Sequence, residues 1–251
     1  MTKYVNSDDL ANNPATRVPV CLCLDLSGSM DIVEEGTYKE TGERKVIDGR
    51  VVKVVEGGIT RRDLLQEGLK LFFDAIKDDD MAIDAAEIAI VGFSDDAKCV
   101  LNFNHVENQE IPELSLGKDY TKMGEGVMLA LKMLDERKEL YKSKGIQYYQ
   151  PWLVIMTDGE NNGDAAIMQQ AIDLTTQKVN DGKLTVFPIG IGKKADMNTL
   201  AKFSPKRKPL MLKGLKFKEF FQWLSQSIAR TSVSKPGQKL VLPPVEAWGT
   251  L

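Results

Sequence analysis

The chain has 251 residues, of which 43% are hydrophobic and 27% charged, and its formal net charge is −3. This length favours one large domain, and the slightly acidic balance argues against a nucleic-acid partner, because general nucleic-acid binders are basic. The N-terminus lacks the apolar region of a signal peptide, and no apolar run is long enough to cross a bilayer. A cytoplasmic protein with no membrane partner is therefore expected.

The cysteines and the histidine offer little metal chemistry of their own. Cys21, Cys23 and Cys99 form no C-x-x-C pair and are interpreted as small buried side chains in a reducing compartment. With His105 as the single histidine, there are too few ligands for a zinc site. We expect His105 to lie in a surface loop.

The first strong signal in the chain follows an irregular lead-in at residues 1–17. The apolar run Val18–Leu24 predicts a strand buried on both faces, and the polar turn Asp25–Met30 follows it directly. Open α/β sheets build their sites at the carboxyl ends of such strands. This turn is therefore the first candidate for a functional site.

An insertion at residues 31–59 separates this turn from the next helix. Within it, Lys45–Val55 predicts a β-hairpin with an Asp48-Gly49 turn. Because the insertion leaves the sheet at the polar turn, we expect it to stand over or beside the site as a lid or partner surface. A purely decorative loop is the alternative.

The middle of the chain predicts a helix followed by two strands. A helix over Thr60–Lys77 carries one apolar face, and Asp78–Asp80 is interpreted as its solvated end, since an EF-hand loop needs further ligands. The strands Glu87–Phe93 and Ala97–Phe103 are joined by a tight turn and must be antiparallel.

The second half alternates helices and strands. A helix runs from about Thr121 to Ser143, and Thr121 at its entrance is the ordinary choice for an N-cap. The strand Pro151–Met156 then ends in a second polar turn, Thr157–Asn162. The remaining predicted elements are a helix over Asp164–Val179, a strand over Leu184–Ile189, a helix over Asp196–Phe203, a strand over Lys208–Leu212, a helix over Phe217–Ala229, and an extended tail over 231–251.

This alternation predicts an α/β fold with a mostly parallel central sheet, one antiparallel edge strand and helices on both faces. Such a sheet can bring the turns that follow two of its strands into one coordination sphere. The expected metal ligands are Asp25, Ser27, Ser29, Thr121 and Asp158.

These side chains offer only oxygen atoms, which suits Mg²⁺, or else Mn²⁺ or Ca²⁺. If the neutral hydroxyls bind directly and the two acids act through water, the cation stays electrophilic. A carboxylate from another molecule could then complete the coordination. The residue types therefore predict a metal that captures an acidic ligand.

The pattern Asp25-x-Ser27-x-Ser29 with Thr121 and Thr157-Asp158-Gly159 resembles the metal-ion-dependent adhesion site of von Willebrand factor A domains. The resemblance covers residues 18–230 and implies a Rossmann-like sheet. It further implies direct or switchable ligation by the three hydroxyls, water-mediated contacts from the two acids, and a sixth ligand from an Asp or Glu of the partner.

A finer resemblance is to the bacterial TerY-like branch of tellurite-resistance and stress operons. It is carried by Phe220–Ile228 and by the Lys-Pro-Gly…Leu-Pro-Pro tail. That branch implies a Ser/Thr kinase and a PPM-type phosphatase as partners. The insertion at 31–59 departs from the compact family pattern.

The sequence argues against two other functions and leaves a third open. A haloacid-dehalogenase-type phosphotransferase needs a second Asp where this chain has Ser27, and Ser-His-Asp hydrolysis would depend on His105 without a nucleophile elbow. The chain also lacks the glycine-rich motifs that nucleotide-binding folds of this kind carry. A metal-free scaffold, in which Ser27 and Thr121 only cap helices, stays an open alternative.

The basic stretch Lys193–Lys218 also has two interpretations. It is either a solvated face or a docking surface for an acidic partner.

Overall fold

The computed structural model describes residues 13–47, 50–117, 120–192, 195–234 and 241–250. The expected Asp48-Gly49 turn and Lys193–Lys194 lie outside these ranges. The strands are β1 (Val18–Asp25), β2 (Val33–Ile47), β3 (Arg50–Thr60), β4 (Ala86–Phe93), β5 (Ala97–His105), β6 (Trp152–Thr157), β7 (Thr185–Ile191), β8 (Leu210–Leu212) and β9 (Gly249–Thr250). The helices are α1 (Arg61–Lys77), α2 (Asp80–Ala85), α3 (Met123–Lys144), α4 (Ala165–Asn180), α5 (Met197–Lys202) and α6 (Phe217–Ser232).

Seven of the described strands form one sheet in the order β5-β4-β1-β6-β7-β8-β9. The five inner strands are parallel, and β5 is the antiparallel edge strand that the sequence predicts. The opposite edge differs from the prediction, because β9 adds a second antiparallel strand there. The α/β fold with a mostly parallel sheet is confirmed.

Strand β1 lies inside the sheet, between β4 and β6, and all eight of its residues are buried. Because side chains alternate between the faces of a strand, Val20 and Leu22 belong to one core and Cys21 and Cys23 to the other. Helices α1 and α6 supply the first core, and α3 and α4 supply the second. Burial on both faces explains why β1 is a continuous apolar run.

The register of the parallel strands brings the two polar turns together. Leu24 pairs with Met156, and Asp25 pairs with Phe93. The turns that follow β1 and β6 therefore lie next to each other at the carboxyl ends of these parallel strands. A site shared by the two turns requires this proximity.

The first helix begins where the sequence predicts. Thr60 is its N-cap, and Thr60 and Asp63 form a capping box in which each side chain accepts a backbone N–H bond from the other residue. At the other end, Asp78 is the C-cap of α1, and Asp79 caps the unpredicted short helix α2. The three consecutive acids thus end one helix and begin another.

The end of the chain differs from the extended tail that the sequence predicts. Helix α6 continues to Ser232, and residues 241–250 return to the sheet, where β9 pairs with β8. Trp248 is buried and packs against Phe220 and Trp223, with ring centroids 4.9 and 5.1 Å apart. Large aromatic rings of this kind anchor a segment by the apolar area that they bury.

The insertion forms a long curled hairpin rather than a short one. Strands β2 and β3 pair antiparallel as a separate two-stranded sheet, with register shifts near Glu35 and Glu40. A straight strand would carry Ile47 about 45 Å from Val33. The hairpin instead bends through glycines at positive φ, such as Gly57 at 84°, so that both of its ends reach the polar turns.

The cysteines and the histidine differ in part from expectation. Cys21 and Cys23 are fully buried as predicted, whereas Cys99 is exposed. Burial raises the pKa of the Cys21 and Cys23 thiols well above the usual range. His105 is not in a loop; it ends β5, and its side chain is 17% exposed. None of the helices in the described ranges could cross a membrane.

Candidate metal centre

Asp25 is fixed at the end of β1 by two hydrogen bonds. Its Oδ1 accepts a bond from the Ser27 backbone N–H at 2.9 Å, and its Oδ2 accepts one from the Thr157 hydroxyl at 2.6 Å. The side chain of Asp25 is completely buried. A carboxylate is therefore held rigidly between the two polar turns, with Thr157 as a supporting residue that the sequence analysis did not assign.

The two serines join the first turn to the second. The Ser27 and Ser29 hydroxyls lie 3.0 Å apart, and the Ser29 hydroxyl donates to Asp158 Oδ1 at 2.7 Å. The 3₁₀ helix Gly28–Asp31 directs Ser29 toward Asp158. Four of the five predicted ligands therefore lie in one hydrogen-bonded cluster spanning the ends of β1 and β6.

Thr121 lies on the same cleft but is not the N-cap expected from sequence. Helix α3 begins at Met123, whose N–H donates to Asn161 Oδ1 at 3.1 Å. The Thr121 N–H donates to Asn162 Oδ1 at 2.6 Å. The second polar turn therefore caps the helix and positions Thr121, which is buried and lines the cleft beside Ser29.

Two buried carboxylates face one another at the bottom of this cluster. Burial, and next the nearby charge of Asp158, raise the pKa of Asp25 to about 7. Both effects disfavour the ionised form because a buried negative charge loses water and is repelled by its neighbour. The attraction of a bound divalent cation would offset both penalties.

The cluster opens into a cleft of about 300 Å³. One wall is polar, formed by Ser29, Thr121 and Asp158 with the turn that follows β6. An apolar wall comes from the base and the far end of the hairpin, through Ile32, Ile47 and Val52. The insertion therefore lies beside these side chains, where the sequence predicts it, and its role as a lid or partner surface stays a prediction.

A positively charged side chain also reaches the cleft. Arg61, the first residue of α1, places Nη1 2.5 Å from Asp158 Oδ2. Its Nη2 and Nε lie 2.5 and 2.6 Å from Glu34 Oε1 on the hairpin. No sequence signal marks this contact, because the partners of Arg61 lie 27 and 97 residues away.

The donor set fits a hard divalent cation. The five side chains present three hydroxyls and two carboxylates, all oxygen, and all are buried. The described residues contain no group of three or more His, Cys, Asp or Glu side chains that could hold a metal. The fit depends on the serine and threonine hydroxyls, which such a group does not include.

The geometry does not support the Ser-His-Asp alternative. His105 pairs with Glu87 near the start of β4, whereas Asp25 pairs with Phe93 at its end. Six strand residues separate these positions, which corresponds to about 20 Å. The histidine therefore lies near the amino-terminal ends of the parallel strands, whereas the two serines follow the carboxyl end of β1.

Part of the basic stretch is bound to the protein's own residues. Lys206 Nζ donates to the Val179 carbonyl at 2.8 Å, and Lys218 pairs with Glu67 at 2.7 Å. These contacts favour a solvated, internally paired face for the described part of Lys193–Lys218.

The sequence model of one protein family, the von Willebrand factor type A domain, matches residues 63–220 of this chain. The matched span contains Thr121 and Asp158 and begins after the first polar turn. No curated protein matches the chain by sequence.

Solved structures share the fold at low sequence identity. A von Willebrand factor type A protein from Catenulispora acidiphila aligns at 17% identity and a TM-score of 0.56, over 86% of this chain and 43% of that one. The PilB minor pilin from Streptococcus sanguinis aligns at 15% and 0.55, over 88% and 64%. Proximal thread matrix protein 1 from the mussel byssus aligns at 15% and 0.51, over 86% and 49%. The chain thus spans between 43% and 64% of the length of these structures.

Proposed function

Because the chain belongs to the von Willebrand factor type A family, we propose that it is a divalent-cation-dependent protein interaction module rather than an enzyme. Its metal-ion-dependent adhesion site consists of the Ser27, Ser29 and Thr121 hydroxyls and the Asp25 and Asp158 carboxylates. Domains of this family commonly mediate metal-dependent contacts between proteins.

One observation carries this proposal. The Ser29 hydroxyl links the Ser27 hydroxyl to Asp158 at 3.0 and 2.7 Å, so that residues from two strand ends converge at the bottom of an open cleft. Hydroxyl and carboxylate oxygens arranged in this way suit Mg²⁺, or Mn²⁺ or Ca²⁺. The cation would supply an electrophilic centre for one carboxylate of a partner.

The partner's Asp or Glu would enter through the cleft beside the hairpin. Neutral hydroxyls leave more positive charge on a bound cation than carboxylates would, which favours a negatively charged ligand from outside. The apolar wall at Ile47 and Val52 would contact the residues on either side of that carboxylate. The hairpin would therefore set which acidic partner binds.

A finer proposal places the protein in a bacterial stress or tellurite-resistance system of the TerY-like type. It is supported by the resemblance of Phe220–Ile228, which lies in α6, and of the proline-rich tail. Of that tail, Lys235–Gly237 lies outside the described residues. The partners proposed on this ground are a Ser/Thr kinase and a PPM-type phosphatase.

Affinity capture tests the proposed function. The immobilised chain is incubated with extract of its source cells in Mg²⁺ or in chelator, and the retained proteins are identified by mass spectrometry. We expect specific partners that require Mg²⁺ and no longer bind after their carboxylates are blocked with a carbodiimide and an amine. Identical proteins in both buffers would contradict a metal-dependent mechanism.

The hairpin wall is expected to control partner affinity without controlling metal binding. Replacing Ile47 and Val52 together by serine removes apolar contact area, so the affinity for a captured partner should fall about tenfold. The rise in melting temperature caused by Mg²⁺ should stay unchanged. Both quantities are measured on the purified variant, by titration calorimetry and by thermal denaturation.

A matched control lies on the same two strands. Val46 and Val51 are 62% and 65% exposed and are not part of the cleft wall. Replacing both by serine makes a similar chemical change away from the cleft and should leave partner affinity intact. If the two double variants bind the partner as the wild type does, the insertion does not select the partner.

A further inference from the structure

Arg61 places a permanent positive charge at the rim of the proposed cation site. Its side chain is 12% exposed, and the Asp158 side chain that it contacts is fully buried. The backbone fixes the position, because the Arg61 N–H donates to the Ile32 carbonyl at 3.1 Å, just after the first polar turn. The guanidinium therefore balances part of the negative charge of the two buried carboxylates.

The same guanidinium is shared with the hairpin. Glu34 Oε1 accepts from both Nε and Nη2 of Arg61, at 2.6 and 2.5 Å, and its side chain is 29% exposed. Arg61 thus bridges an outer carboxylate on β2 and an inner carboxylate in the metal site. Such charge-assisted pairs are strong and directional because the guanidinium presents several fixed donors.

We infer that Arg61 is a tethered competitor of the divalent cation, and that Glu34 holds Arg61 when the cation takes its place beside Asp158. The inference rests on the proposed function, since it concerns the same site. A cation and a guanidinium repel each other, and both favour the same carboxylate. Binding of the cation must therefore weaken the contact between Arg61 and Asp158.

The inference assigns opposite effects to the two ends of the bridge. Without Arg61, Asp158 has no competing cation and the site should bind Mg²⁺ more tightly. Without the Glu34 charge, Arg61 loses its alternative partner and stays with Asp158, so the site should bind Mg²⁺ more weakly. A merely structural role for the bridge would not produce changes of opposite sign.

Calorimetric titration with Mg²⁺ alone tests the inference on the full chain. Arg61→Ala is expected to raise the affinity for Mg²⁺ about tenfold, and Glu34→Gln to lower it several-fold. Arg62→Ala is the control, because Arg62 is the next residue and pairs with Asp63 at 3.0 Å. It should leave the affinity unchanged.

The fold of each variant is checked by circular dichroism, and Arg61→Gln replaces the alanine variant if that one does not fold. Tighter binding by the Arg61 variant supports the inference, even if the wild type itself takes up no Mg²⁺. Equal or weaker binding, with wild-type binding intact, overturns the inference alone. Absence of binding in all the variants overturns the inference and the proposed function together.

Discussion

Replacing Glu87 by glutamine is expected to lower the free energy of unfolding by about 3–5 kcal/mol, because it leaves buried arginines without their counter-charge. Glu87 lies on β4 and is completely buried. Its Oε2 accepts a hydrogen bond from Arg137 Nε at 2.6 Å, and Arg17 Nε lies 3.6 Å from Oε1. Tyr141 also donates its hydroxyl to Glu87.

The size of this effect follows from burial. The Arg17 and Arg137 side chains are 1% and 7% exposed, so water cannot replace the lost carboxylate charge. Burial lowers the pKa of Arg137, but the hydrogen bond that it donates to Glu87, the charge of Glu87 and the contact with Tyr141 together outweigh burial and hold that pKa above its ordinary value. Removing one charge from such a group costs more than the pair contributes, since the remaining charges stay desolvated.

Urea denaturation of the variant measures this change. Glu139→Gln on α3 is the control, because Glu139 is 71% exposed and its pair with Lys142 at 2.7 Å is a surface contact. The control should change the free energy of unfolding by about 0.5 kcal/mol or less. A similarly small change for Glu87→Gln would show that the buried network does not depend on its carboxylate.

Replacing Asp25 by asparagine is expected to abolish the rise in melting temperature caused by Mg²⁺, together with Mg²⁺-dependent partner capture. Asparagine keeps the acceptor for the Ser27 N–H but carries no charge to hold a divalent cation. It also removes a buried carboxylate that Asp158 repels. The metal-free variant should therefore be at least as stable as the metal-free wild type.

This combination separates loss of the site from loss of the fold. Asp96→Asn is the matched control, since Asp96 lies in the turn after β4 at the same sheet edge and its side chain is 58% exposed. That control should keep the full response to Mg²⁺. If the wild type and Asp25→Asn both capture the partner in excess chelator, the proposed mechanism is wrong.

The elements that position the site could be predicted because their signals are local. Val18–Leu24 is apolar throughout, since β1 is buried on both faces, and Asp25 follows it directly. The second turn follows β6 in the same way. Parallel neighbouring strands then place Asp25 and Asp158 at one edge, whatever the details of packing.

Other parts of the site could not be predicted because they depend on pairing between distant residues. Charged residues such as Arg61 and Glu34 carry no periodic signal that identifies their partners. The curvature of the hairpin depends on glycine conformations and register shifts that its alternating pattern does not encode. The proline-rich composition of the tail likewise concealed the return of Trp248 to the core.

The start of helix α3 near Thr121 could not be predicted correctly from the sequence either. A threonine before a helix is normally a cap, and the sequence offers no reason to prefer Asn161 from another loop. The structure assigns the capping contact to Asn161, so the Thr121 hydroxyl is not used at the helix end. Thr121 is predicted as a site residue from its hydroxyl at the head of this helix and from the adhesion-site pattern, not from helix propensity.

Water-proton relaxation with Mn²⁺ tests most directly whether these residues hold a divalent cation. Mn²⁺ that keeps part of its water shell while bound to a slowly tumbling protein relaxes water protons faster than free Mn²⁺. We expect a saturable enhancement with the wild-type chain, and its loss in Asp25→Asn. A wild-type rate equal to that of free Mn²⁺, or the same enhancement in Asp25→Asn, would contradict the metal centre proposed for this protein.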